Sequence, residues 1–294
     1  MKAWFNGSRL IIMCYLLLAL LMLGFLKIPK WYVNSTEPGS LQEQRVAILT
    51  FHSVSKVPAA NPVTISAAEL DKTFSLLLQR GYHFINLEQF HDFIDGKASV
   101  PNKAVLITFD DGYQDNYLVA YPIAKKHQIP AVIFTVTKWF SEFPRPEPHI
   151  AHLNIEEAKS LLAEKLWTIA SHSHDGHRKI NGGNGPGAFY TTQVCQTDYN
   201  ESEAEYKARL WNDIALSAFT LERVGAGRLD FAFPYDAYNE TAKQIVKGLG
   251  YRYIYTNESG LNKPGQDPGH IRRIPSAQTA RQNLALLEAR FGNR

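Results

Sequence analysis

From Arg45 onward, strand-like and helix-like segments alternate without a break. Arg45 to Phe51, Ala104 to Phe109, Ala131 to Val136 and Trp167 to Ala170 read as buried strands, since nearly every position is apolar rather than every second one. Shorter strands are predicted at Phe84 to Asn86, Phe231 to Phe233 and Tyr251 to Thr256. Helices are predicted over Ser66 to Arg80, where Ser66 and Glu69 suit a capping box, and over Glu88 to Ile94, Tyr117 to His127 and Asn154 to Lys165. Three more follow at Glu201 to Val224, Asn239 to Leu249 and Arg281 to Phe291. Such alternation argues for parallel strands joined by helical crossovers. The strands outnumber those of a small open sheet, and polar residues gather where strands end. The expected fold class is therefore α/β, a distorted (β/α) barrel of about seven strands with its site at the C-terminal mouth. Ile180 to Asn200, with Gly182, Gly183, Gly185 and Gly187, breaks the alternation and reads as a long loop flanking a groove.

Upstream of this series the pattern changes. Leu10 to Leu26 carries no charge, with Lys2 and Arg9 before it and Lys27 and Lys30 after it. Its 17 residues would rise about 26 Å as a helix, against about 30 Å of bilayer hydrocarbon. The leading positive charges favour a cytoplasmic N-terminus, and no small-x-small cleavage site follows the run. Residues 1–29 are expected to be a membrane segment, either an uncleaved anchor or a cleaved signal, and residues 30–44 a Pro-, Ser- and Gly-containing tether. Residues 45–294 would then form a folded domain at the extracellular face of the cell membrane or the cell surface.

Composition narrows the classes further. At 294 residues and 45% apolar content the chain can bury one large core or two small ones. A net charge of +3 without any block of like charge argues against a nucleic-acid partner. The two cysteines, Cys14 in the apolar segment and Cys195 in a polar stretch, cannot build a disulfide framework.

The chemistry lies at the strand ends. Thr108-Phe109-Asp110-Asp111-Gly112 closes one apolar run, and Ser171-His172-Ser173-His174-Asp175-Gly176-His177 closes another. Adjacent aspartates face opposite sides of a regular strand, but a twist into Gly112 can bring both to one mouth. One carboxylate and two imidazoles can hold a divalent ion with a position open for water, while the second carboxylate serves as a base. His172 and His177 can converge across a tight turn through Gly176; His174 is the competing ligand. Neutral imidazoles with one carboxylate suit zinc, and cobalt or nickel would fit the same set. His52 closes the first strand and would share the mouth if the barrel closes. In Phe231-Ala232-Phe233-Pro234-Tyr235-Asp236, the backbone N–H of Tyr235 is placed to meet a developing oxyanion.

Together these segments, from Arg45 to the C-terminus, resemble the polysaccharide deacetylases of carbohydrate esterase family 4, the NodB-homology domain. The TFDDG motif stands intact at Thr108 to Gly112, and the resemblance implies that Asp110 is the catalytic base and Asp111 a metal ligand. The family usually spaces its two histidines four apart. The five-residue separation of His172 and His177 looks like the branch acting on poly-β-1,6-N-acetylglucosamine of biofilm matrix, chiefly its single-domain intercellular-adhesin deacetylases. In that branch the histidine of the last motif moves to the start of the domain, so His52 would be the general acid and the last motif circularly permuted. The resemblance implies a monomeric catalytic domain with a polysaccharide substrate, poly-N-acetylglucosamine, and with peptidoglycan or chitin oligosaccharides as the alternative. The Arg that usually precedes Pro-Tyr to orient the base is replaced (Ala232 and Phe233 stand there), Asp236 replaces the usual Gly, and the Trp of the fourth motif has no match.

Overall fold

The structure, a computed structural model, describes residues 41–57, 61–140 and 151–292. The apolar run Leu10 to Leu26 and most of the tether lie outside them. Among the described residues no helix is long and apolar enough to cross a membrane.

The strands, in chain order, are β1 (Val46–Phe51), β2 (Ser53–Ser55), β3 (Thr64–Ser66), β4 (His83–Phe84), β5 (Ala104–Phe109), β6 (Ala131–Thr135) and β7 (Trp167–Ser171). They continue as β8 (Lys179–Gly182), β9 (Gly185–Ala188), β10 (Cys195–Gln196), β11 (Tyr199–Asn200), β12 (Asp230–Ala232), β13 (Tyr253–Tyr255) and β14 (Ile274–Pro275). The helices are α1 (Ala67–Gln79), α2 (Leu87–Ile94), α3 (Tyr121–His127), α4 (Ile155–Ala163), α5 (Glu203–Val224), α6 (Glu240–Gly248) and α7 (Ala280–Phe291). Among the described residues, seven parallel strands form the main sheet in the order β13-β12-β7-β6-β5-β1-β14, and β4 pairs with the first half of β5. A parallel bridge between Tyr255 and Ile271 ties the β13 edge to the segment entering β14, so the sheet curls into the expected distorted barrel.

Both faces of this sheet are dry, which is why its strands read as unbroken apolar runs. Val46, Ile48, Leu106, Val132 and Phe134 point inward, where Phe90, Phe93 and Ile94 of α2 fill the barrel. The alternate residues, among them Leu49, Phe51, Ile107, Phe109 and Ile133, pack outward against helices. Capping boxes start α2 (Asn86 with Gln89), α4 (Asn154 with Glu157) and α5 (Ser202 with Glu205). Ser66 caps α1, but Glu69 does not reciprocate: its carboxylate accepts from the Ala280 N–H at 2.9 Å, at the start of α7.

Two predicted elements differ. The helix expected from Tyr117 begins as a π-turn over Asn116–Ala120 and becomes α-helical only from Tyr121; Pro122 has no N–H to give the regular ladder at that point. The stretch 180–200 is two small antiparallel hairpins rather than an irregular loop. They are fastened to α5 by the Arg209 guanidinium, which donates to the carbonyls of Phe189 (3.0 Å) and Thr192 (2.9 Å) and to Glu201. The glycines make that packing possible: a Cβ on Gly187 would lie 2.1 Å from Thr192 Oγ1.

Candidate active site

The C-terminal ends of β1, β5, β7 and β12 deliver His52, Asp110 with Asp111, His172 and Tyr235 respectively. The twist that brings both aspartates inward is explicit in the backbone: Asp111 has φ +72° and Gly112 φ +71°. Gly112 also passes so close to β6 that a Cβ would fall 2.3 Å from Thr135 Oγ1. Ser173, Tyr235 and Asp236 hold positive φ as well, so non-glycine residues in this sparsely populated region cluster around the mouth.

Asp111, His172 and His177 come together, each offering one ligand atom within 4.8 Å of the others. Asp111 Oδ1 lies 3.0 Å from His177 Nε2 and 3.5 Å from His172 Nε2, yet it is buried and accepts no hydrogen bond. His172 Nδ1 is 2.8 Å from the carbonyl of Ala232. A carbonyl only accepts, so Nδ1 carries the proton and Nε2 presents its lone pair to the cluster. Burial pulls the His172 pKa down to about 4, against the attraction of Asp110 and Asp111, so the ring is neutral at pH 7. Burial pulls His177 down too, but there the Asp111 contact wins and leaves it raised. Burial pushes the Asp111 carboxyl up; His177 and His172 overcome this and hold it far below the ordinary range. A buried acceptor without a donor, faced by two imidazole nitrogens, fits a divalent cation: one carboxylate and two imidazoles can hold it with further positions open.

His174, the competing residue, is not in this cluster; its Nδ1 sits 3.0 Å from Thr137 Oγ1. The turn also differs from expectation. Ser173, at φ +90°, supplies the left-handed residue, whereas Gly176 is needed for space, because a Cβ there would lie 2.5 Å from the Tyr190 ring.

Asp110 is buried beside the cluster. Its N–H donates to Phe51 O at 2.9 Å, and its Oδ1 accepts from the Arg273 guanidinium at 2.7 Å. Arg273, only 1% exposed, also donates to Thr256 O and Asn257 Oδ1, so its charge is fully engaged. Burial pushes the Asp110 carboxyl up, but Arg273, His172 and His52 outweigh it and leave the pKa lowered. The sequence offers no local cation for Asp110; in the fold Arg273 lies against it. It stands just before β14, whose Ile274 packs outward, so Arg273 points into the barrel and its guanidinium lies over Phe134. The available signal was a charged doublet, Arg272-Arg273, entering the apolar pair Ile274-Pro275.

His52 is half-buried, its carbonyl accepts from Asn116 Nδ2 at 2.7 Å, and its imidazole is near enough to lower both aspartates. The Tyr235 ring packs on His177 with centroids 4.4 Å apart, and its hydroxyl donates to His177 O at 3.3 Å. Trp139 lies 5.6 Å from His177 and 4.0 Å from His152, which in turn stacks on Tyr113. Neither Trp139 nor His152 had been assigned a role from sequence; together with Tyr235 they line the site with aromatic rings.

Comparison with known proteins identifies the family. The chain matches the polysaccharide deacetylase family over residues 97–254. It is 28% identical over 218 residues to a poly-β-1,6-N-acetyl-D-glucosamine N-deacetylase of Escherichia coli (strain K12), covering 69% of this chain and 32% of that protein. It is 23% identical over 221 residues to the protein of the same description from Staphylococcus aureus (strain MRSA252), covering 75% of this chain and 70% of that one. Thus the chain spans about a third of the length of the E. coli relative but most of the staphylococcal one. A solved de-N-acetylase from Aggregatibacter actinomycetemcomitans superposes with a TM-score of 0.75 at 25% identity, covering 85% of this chain and all of that one. With the family match running over more than half of its residues, and the TFDDG and histidine strand ends meeting in one mouth, the chain belongs to the polysaccharide deacetylase family.

Proposed function

We propose that this chain is a metal-dependent N-deacetylase of extracellular poly-β-1,6-N-acetyl-D-glucosamine, releasing acetate and leaving a partly cationic polymer. The observation that carries this reading is the convergence of Asp111, His172 and His177 beside the Asp110–Arg273 pair, with His52 supplied from the first strand. The five-residue histidine spacing and the names of the E. coli and staphylococcal relatives support the β-1,6-linked substrate.

Asp111, His172 and His177 are the ligands in this proposal, and zinc suits them best, with cobalt or nickel able to replace it. When bound, the ion polarises the acetamide carbonyl and brings the pKa of water toward about 7. Asp110, kept ionised and aimed by Arg273, takes the proton of the attacking water. The N–H of Tyr235 donates to the developing oxyanion. His52 then gives its proton to the departing glucosamine nitrogen, completing the exchange of an amide for an acetate and a free amine.

The test is acetate release by the full chain from β-1,6- and β-1,4-linked N-acetylglucosamine oligomers. Release from the β-1,6 series, abolished by a chelator and restored by zinc, cobalt or nickel, is expected. Preference for the β-1,4 series would transfer the reading to chitin or peptidoglycan substrates, and indifference to chelation would remove the metal from it.

We further propose that Leu10 to Leu26 holds this domain at the outer face of the membrane. The protein should then stay with membranes through high-salt and alkaline washes; a soluble form beginning after residue 26 would instead identify a cleaved signal.

A further inference from the structure

The loop 172–177 carries two of the three candidate ligands, and its shape is imposed from outside. Asp213, in the middle of α5 and only 5% exposed, directs its carboxylate at this loop. Oδ2 accepts the His174 N–H at 3.1 Å and Oδ1 the Asp175 N–H at 2.6 Å. Two consecutive N–H groups after a left-handed Ser173 form a concave nest for an anion, and the Asp213 carboxylate fills it. The Tyr190 hydroxyl also donates to Asp213 Oδ2. The same Tyr190 ring lies against Gly176, where a Cβ would leave no room, and its carbonyl accepts from Tyr206 OH at 2.5 Å. Gly176 N–H donates to Ser173 Oγ at 3.1 Å, closing the turn between the two histidines internally.

The hydrogen bonds of Asp213 go to the Tyr190 hydroxyl and to the backbone between the two histidines, not to their rings. Burying a carboxylate is expensive unless its oxygens are satisfied, and here the satisfying donors are the backbone of the ligand loop itself. We propose that Asp213 is a positioning residue that preorganises the histidine loop and thereby sets the affinity of the site for its divalent ion, with Tyr190 coupling the hairpin insert to the same anchor. This inference rests on the reading of Asp111, His172 and His177 as metal ligands.

The experiment compares zinc affinity, by competition with a chromophoric chelator, for the full chain and for its Asp213→Asn, Tyr190→Phe and His177→Ala variants. Unfolding temperatures of the metal-free proteins are measured alongside. Groups that orient metal ligands typically change affinity about 10–100-fold, and Asp213→Asn is expected to weaken zinc binding by that order, since its NH2 must face one of the donors. Tyr190→Phe, which spares both loop N–H groups, should weaken it less. A purely structural role would lower the metal-free unfolding temperature and leave zinc affinity at the wild-type value; that result overturns the proposal. Should Asp213→Asn fail to fold, hydrogen exchange of the metal-free wild type decides. Protection of the His174 and Asp175 amides supports a preorganised loop, and free exchange overturns it. His177→Ala separates the two readings: if it binds zinc like wild type, the metal assignment falls rather than the anchor.

Discussion

Asp110→Asn should retain bound metal and substrate binding while turnover falls about 10²–10⁴-fold, the usual contribution of a general base. The variant keeps the shape of the side chain, and its amide oxygen can still accept from Arg273, which lies 2.7 Å from Oδ1 in the wild type. What it loses is the ability to take a proton. Asp111 cannot take over that task, since it faces His172 and His177. Asp111→Ala, by contrast, should lose metal and activity together. Metal content and acetate release measured on the same preparations separate the two aspartates. Near-normal turnover by Asp110→Asn would end the assignment of the base.

Arg273→Met should destabilise the domain by about 3–5 kcal/mol, because it leaves a buried carboxylate without its counter-charge. Both partners of the pair are almost fully buried, so solvent cannot take over from the guanidinium. The loss should also depend on pH in a definite direction. In the wild type the Asp110 pKa is lowered in the folded state, so the pair adds stability above the unfolded value of about 3.9, which is lost as pH falls through the folded pKa. Without Arg273 the largest influence opposing burial is gone, although His172 and His52 remain, and that pKa rises. The folded variant then binds a proton more tightly than the folded wild type does, so its deficit against the wild type should shrink as pH falls. Urea titrations of both proteins at several pH values measure this. A deficit that stays constant, or grows toward acid, would show that Arg273 stabilises the fold by packing over Phe134 rather than through Asp110.

Much of the architecture was legible because it rests on repetition. Strands β1, β5, β6 and β7 are dry on both faces, so their apolar runs are unbroken and their ends fall within a residue of expectation. Helix starts at Asn154 and Asn239 were marked by side chains that cap locally. The aspartate and histidine motifs were visible for the same reason: each lies within a few residues of a strand end.

What lay beyond the sequence is whatever depends on residues distant along the chain meeting in space. Strand β14 is two residues long and has no period to detect, so Arg273 could not be paired with Asp110, 163 positions away. Ile180 to Asn200 resembled an open loop because its order comes from Arg209 and from close approach to Thr192, not from its own pattern. The resemblance favoured His177 over His174, but the physical reason for that choice lies in the fold. Ser173 turns the chain, Asp213 holds the backbone of residues 174 and 175, and only His177 is carried back to Asp111. Local sequence determines which residues end a strand and which cap a helix, since those energies are settled within one turn of chain. The partner of a buried charge, and the direction in which a loop projects its imidazoles, are settled by desolvation and packing between elements, which only the closed barrel provides.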